Sequence, residues 1–201
     1  MPLVWISSAT HFVSVSRFTG EIRLFGGQES LRLVKTDDRK VIERVLDGDT
    51  ESFNILVHQW EKPIYNFILR MMGDRDEAMD LCQDCFMKAY RELRTLKDRD
   101  RFASWLYRIA HNACLSKIRK NYGKTWVELD PDARPSHTPI ENQLAVHKAL
   151  QQLPEEQREV VVLKVFHSLK FDEIAAIQGA PVSTVKSRLY MGFEKLRSIL
   201  G

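Results

Sequence analysis

Cysteine is scarce in this chain. Three residues, an odd number among 201, do not make a disulfide framework. No run reaches the roughly 18 apolar residues of a membrane span, so no membrane insertion is expected. The N-terminus lacks the basic start and continuous apolar core of a signal peptide. A reducing cytoplasm fits these features. The six histidines are scattered, with no HExxH, P-loop or GxSxG arrangement. The reading therefore assigns no catalytic residue, no metal and no cofactor. Neither an internal repeat nor a low-complexity run is present. Charge of one sign is also lacking: 30 basic and 27 acidic residues leave a net +3, which does not by itself specify a nucleic-acid partner. The 44% apolar and 28% charged content is ordinary for a globular protein, and the length allows one large domain or two small ones.

What the totals hide, the distribution shows. Between Lys97 and Lys124 stand eight Lys/Arg against two Asp, a local excess of +6 that attracts phosphate. Just before it, Asp74 to Asp84 holds five acids against Arg75. Adjacent blocks of opposite sign suggest two different partner surfaces, or two solvated helix faces.

The pattern from about Arg39 onward is helical. A short helix ends at Gly48. The next carries Phe53, Leu56, Val57, Trp60, Ile64, Phe67, Ile68 and Met71, with Pro63 expected to kink it. A third helix runs from about Asp74 to Leu96 on a stripe of Ala78, Leu81, Cys82, Cys85, Phe86, Ala89, Tyr90 and Leu93. A fourth spans about Phe102 to Lys120, with Phe102, Trp105, Leu106, Ile109, Ala110 and Ala113 toward the core. Gly123, Pro131, Pro135 and Pro139 mark a linker. Leu153-Pro154-Glu155-Glu156 reads as a helix start. The fold class is all-α: two small helical domains, residues 39–121 and 141–201, joined by a flexible linker at 122–140. Residues 1–36 read as a poorly ordered N-terminal extension, with a marginal hairpin over residues 12–25.

Residues 171–200 read as two helices around a tight turn. Phe171, Ile174, Ala175 and Ile177 give the first a core face, and Gly179 supplies the left-handed residue that ends it. Pro181 restarts the chain and Ser183 is the expected N-cap. The second helix is expected to bury Val185, Leu189, Phe193 and Leu196. It exposes Ser183, Thr184, Lys186, Ser187, Arg188 and Tyr190. A helix-turn-helix lays such a face in the DNA major groove; the plainer alternative is a helical hairpin with a solvated charged face. On the fourth helix, Arg108, Asn112, Leu115 and Arg119 form a stripe distinct from the core stripe. Arginine can hold phosphate and asparagine can read a base edge. The preceding Thr95–Arg101 loop is placed to receive an unstacked base.

These elements, in this order, resemble a bacterial sigma factor of the extracytoplasmic-function (ECF) group. Asp74-Arg75-Asp76-Glu77-Ala78-Met79-Asp80-Leu81-Cys82-Gln83-Asp84-Cys85-Phe86-Met87-Lys88-Ala89-Tyr90 is similar to that family's GD-x-x-x-A-x-DL-x-Q-[ED]-x-F-x-x-A-[YW] element. Phe102 to Asn112 is similar to its F-x-x-WL-x-x-IA-x-N element. Leu153 to Arg158 and Glu173 to Arg188 resemble its C-terminal domain. The resemblance covers about residues 40–122 and 141–201, with no match to the additional domains of the larger primary sigma factors. It implies that Asp80, Gln83, Asp84 and Met87 dock on the β′ clamp helices of core RNA polymerase, with the β flap as a second contact. It implies that Arg101, Arg108, Asn112, Leu115, Arg119 and Lys120 recognise and melt the promoter −10 element. The exposed face of the helix-turn-helix, Ser183 to Tyr190, would bind the −35 element. An anti-sigma factor is the further partner that the family implies.

Cys82-x-x-Cys85 lies on the apolar stripe and lacks a second ligand pair, so core packing is favoured over zinc or redox chemistry. The rival to the resemblance is a helix-turn-helix repressor that binds duplex operator as a dimer without polymerase. The acidic helix and the WL-x-x-IA-x-N element argue against it.

Overall fold

Apolar residues at three- and four-residue spacing fold the chain after residue 37 into eight α-helices among the described residues. The computed structural model describes residues 5–8, 11–15, 22–24, 37–121 and 140–200, with side chains over 37–120 and 145–200. Residues 1–35 form a unit of their own. Within it, β1 (Trp5–Ser8), β2 (His11–Val15) and β3 (Ile22–Leu24) make an antiparallel sheet in the order β1-β2-β3. Trp5 stands opposite Ser14, and Val13 opposite Leu24. The extension expected to be poorly ordered carries these strands. The expected linker lies outside the described residues, apart from Ile140, which opens a helix.

The first helical half comprises α1 (Asp38–Leu46), α2 (Phe53–Met72), α3 (Arg75–Glu92) and α4 (Phe102–Asn121). Its core is Ile42, Leu56, Ile64, Phe67, Ile68, Ala78, Leu106 and Ala110, all closed to solvent. Asp74 caps α3, its carboxylate accepting from the Glu77 N–H at 2.8 Å. Trp105 lies near Phe102, ring centroids 5.9 Å apart, and is half-buried.

The second half comprises α5 (Ile140–Gln151), α6 (Glu155–Val161), α7 (Phe171–Gln178) and α8 (Val182–Leu200). A five-residue π turn, Val162–Phe166, follows α6. Gly179 ends α7 at φ 63°, the left-handed conformation expected of it. Gly192 lets α8 lie close on α6: a Cβ there would stand 3.0 Å from Val161 Cγ2. Two expectations for α8 are corrected. Ser183 lies in the first turn of a helix that already begins at Val182, so it is not the N-cap. Phe193 is 46% exposed, because α8 turns Val185 and Gly192 inward and leaves Phe193 on the outer flank.

The linker composition leaves the separation of the halves open. In this structure they close on each other, and residues 36–201 form one compact unit. Arg158, itself buried, donates to the Met71 carbonyl at 2.6 Å and to Gln151 Oε1 at 2.5 Å. Gln151 in turn donates to the Arg70 carbonyl at 2.9 Å. These bonds satisfy carbonyls at the C-terminal end of α2, which the helix itself leaves without partners. Tyr107 OH and His167 Nδ1 lie 2.8 Å apart, and the Arg70 guanidinium sits 4.3 Å from the centre of the Phe166 ring. Tyr107 and Cys114, absent from the expected core stripe of α4, are buried; Tyr107 packs on Trp60 and Phe67 of its own half and on His167 of the other.

Candidate nucleic-acid interface

The turn between α7 and α8 presents the first two turns of α8 outward. Ser183, Lys186, Ser187 and Tyr190 are exposed, Tyr190 at 68%, and Thr184 is half-buried. Val185 anchors the opposite face, fully buried. Hydroxyls, a lysine and an aromatic ring thus share one surface, which suits phosphates and base edges.

Arg188 differs from its neighbours. Its side chain is 20% exposed, with Nη2 3.0 Å from Glu156 Oε2 and Nη1 donating to Gln178 Oε1 at 2.9 Å. Gln178 Nε2 donates to Glu159 Oε2 at 2.7 Å and to the Glu156 carbonyl at 3.1 Å. With its amide hydrogens committed there, Gln178 turns its carbonyl toward the guanidinium. Sequence reasoning missed Glu156 and Gln178. Glu156 reads as part of a helix start and Gln178 falls within the helix-turn-helix stretch, and only the fold brings them to Arg188.

A second surface lies on α4. Asn112, Leu115, Arg119 and Lys120, with Ser116, line a shallow concavity of about 400 Å³. Arg108 is exposed one turn before Asn112. The stripe expected from spacing is thus assembled on one helix face. Among the described residues no ion pair neutralises Arg108, Arg119 or Lys120. Lys117, from the same basic block, is spent on Glu77 of α3 at 3.3 Å. The preceding loop is pinned locally: Asp98 accepts from the Asp100 N–H at 3.1 Å and pairs with Arg101 at 3.2 Å. Arg101 stays exposed but stands apart from the concavity's lining.

A third surface is acidic. Asp80 and Asp84 are exposed on α3, beside half-buried Gln83 and Met87. Asp74 is used as a cap and Glu77 in the pair with Lys117. Asp80 and Asp84 form no ion pair among the described residues, so their charge faces outward. On the inner side of the same helix, Cys82 and Cys85 are buried, as is Cys114 on α4. Burial pushes the Cys82 and Cys114 thiols far up and raises Cys85 to about 12. No cluster suited to a metal ion occurs among the described residues, and no helix there is long and apolar enough to cross a membrane.

Both helical halves match known protein families. Residues 56–123 match the Sigma-70 region 2 family and residues 143–196 the Sigma-70, region 4 family. The chain is 31% identical over 186 residues to the RNA polymerase sigma-H factor of Pseudomonas aeruginosa, covering 84% of this chain and 96% of that one. It is 30% identical over 179 residues to the ECF RNA polymerase sigma factor SigW of Bacillus subtilis, covering 81% and 96%. It is similar in structure to CnrH in complex with the cytosolic domain of CnrY, at TM-score 0.65 and 26% identity over 82% of this chain and 97% of that one. The fold also matches the sigma factor RpoE of Bartonella quintana bound to the anti-sigma factor NepR, at TM-score 0.66 and 24% identity over 75% and 97%. With both regions in order and near-complete coverage of these relatives, the chain belongs to the extracytoplasmic-function (ECF) family of RNA polymerase sigma factors.

Proposed function

We propose that the three surfaces divide the work of promoter recognition. The acidic face of α3, Asp80, Gln83, Asp84 and Met87, docks on core RNA polymerase. The outer face of α8 binds the −35 element. The α4 concavity with Arg108 holds the −10 element as it opens. The observation that carries this reading is the concavity itself, where an amide, a hydroxyl, two cations and one apolar side chain converge. That mixture suits a single strand: cations for the backbone, Asn112 for a base edge and Leu115 for a base face. The chain supplies recognition and melting, while nucleotidyl transfer belongs to the polymerase. The site of action is the cytoplasm, and an anti-sigma factor that covers these surfaces belongs to the same reading.

The test is DNA binding with and without core polymerase. The protein alone should bind weakly, with a steep salt dependence. With core polymerase, binding should become promoter-specific and sensitive to the spacing of the two elements. Reversing charge at Asp80 and Asp84 should remove that gain and leave the fold intact, since both carboxylates are exposed and form no ion pair among the described residues. Tight dimeric binding to duplex DNA without polymerase, indifferent to the charge reversal, would overturn the reading in favour of a repressor.

A further inference from the structure

The two partners of Arg188 differ in kind. Glu156 is a carboxylate, so it attracts the guanidinium by charge and competes with DNA for it. Gln178 is a neutral amide. Its oxygen accepts from Arg188 Nη1 at 2.9 Å and aligns the group without neutralising it. We propose that Gln178 is a positioning residue for −35 recognition: it sets the plane of the Arg188 guanidinium, so that the remaining N–H groups read a guanine edge in the major groove. The proposal rests on the reading of α8 as the −35 helix.

Gln178 is itself held in place. Its Nε2 donates to Glu159 Oε2 at 2.7 Å and to the Glu156 carbonyl at 3.1 Å. Both amide hydrogens are spent, which leaves the oxygen to face Arg188. Glu159 is only 2% exposed, so a buried side chain anchors the amide. Gln178 is also the last residue of α7, with the left-handed Gly179 directly behind it. A cation is favoured at that end of a helix.

Arg188 keeps donors to spare. A guanidinium carries five N–H groups in a rigid fork. Nη1 donates to Gln178 and Nη2 faces Glu156, and Nε forms no hydrogen bond among the described residues. The side chain is partly open to solvent. A fork held on one side presents its remaining donors in a fixed direction, which a bidentate contact with guanine O6 and N7 requires. Ordering the side chain before DNA arrives also removes an entropy cost from binding.

Lys186, two residues earlier on α8, has no such brace. It is exposed, with Nζ 5.6 Å from the centre of the Phe171 ring, and forms no ion pair among the described residues. An ammonium is a point charge without a plane to orient, and it suits phosphate. Of these two cations, only Arg188 has a direction to impose on a base.

A DNA pool randomised over both promoter elements, selected by the protein with core polymerase, gives base preferences position by position. The parent should prefer guanine at one or more −35 positions. Arg188→Ala should remove one such preference, a loss of about fivefold or more in discrimination. Gln178→Met keeps the side-chain length and helix propensity and deletes the amide. It should lower the same preference several-fold and leave the other −35 positions as in the parent. In the Arg188→Ala background it should change nothing further, the non-additivity of a residue that acts through another. Gln178→Asn, one methylene short of Arg188, repeats the test should Gln178→Met fail to fold. A −35 preference without guanine, or one that survives Arg188→Ala at every guanine, would overturn the proposal. So would a Gln178 variant that selects like the parent, or one that loosens all −35 positions equally, as lost packing would. A parent that selects no −35 sequence with core polymerase would instead overturn the reading of α8 beneath it.

Discussion

Arg188 Nη2 lies 3.0 Å from the Glu156 carboxylate, so the arginine of the helix proposed to bind the −35 element is already paired within the protein. To contact a base or phosphate it must leave that carboxylate or share itself with it. Glu156 is 60% exposed at its side chain, which limits the pair to about 0.2–1 kcal/mol. Glu156→Gln should therefore barely move the urea midpoint while strengthening −35 binding, because a competing negative charge is gone. Arg188→Ala should weaken −35 binding by about 1–3 kcal/mol if the contact is a bidentate base contact. A gel-shift series on −35 duplexes separates the two. Equal affinity for parent, Glu156→Gln and Arg188→Ala would make Arg188 a purely internal brace.

Asn112 lies on the exposed lining of the α4 concavity and off the buried face. Asn112→Ala should keep the fold and polymerase binding. Should Asn112 read a flipped base, duplex and pre-melted promoters suffer alike; should it aid opening alone, duplex promoters suffer more. Permanganate footprinting of the −10 region reads the difference, and normal opening would remove Asn112 from the interface.

The helical order, the glycine that ends α7 and the stripe on α4 were legible because each depends on local spacing. Phe193 was misplaced because α8 packs through Gly192, and a glycine carries no hydropathy signal. Tyr107, Cys114, Arg158 and Glu159 were missed as core residues for one shared reason. Each lies where the two halves meet, as Tyr107 against His167 and Arg158 against the Met71 carbonyl show, and no periodicity within a single helix encodes a neighbour that arrives from beyond a linker. The setting of Arg188 was hidden too: its two partners, Glu156 and Gln178, come from two other helices of the same half.

Cys82 and Cys85 face the core of the first half and behave as small apolar side chains. Each Cys→Ala change should cost about 0.5–3 kcal/mol in chemical denaturation, through lost packing. In the native protein both thiols should resist a thiol-reactive dye, since burial disfavours the thiolate that reacts, and react on addition of denaturant. Treating the protein with a chelator that is removed before core polymerase is added should leave its transcription unchanged. Stoichiometric zinc in the purified protein, or prompt labelling of native thiols, would contradict this assignment.

His167 gives the closed packing a pH dependence with a definite sign. Burial, with the nearby Arg70 guanidinium as a smaller cause, lowers its pKa from 6.5 to about 4. Its ring faces Tyr107 and Phe67 of the first half, so the neutral form belongs to the closed state. The unfolded chain binds the proton first as pH falls below 6.5, whereas the native state does so only near 4. Stability from this group is therefore complete above about pH 7, is lost progressively between 6.5 and 4, and changes no further below. The slope cannot exceed about 1.4 kcal/mol per pH unit for one proton. His147, lowered by burial and by Arg70 and Arg158, titrates in the same direction, so the informative comparison is His167→Gln against the parent. Urea midpoints measured from pH 7.5 to 4 should fall less steeply for the variant. Parallel pH profiles for the two proteins would show that His167 is protonated in the native state at the same pH as in the unfolded chain, and would remove it from the closed packing.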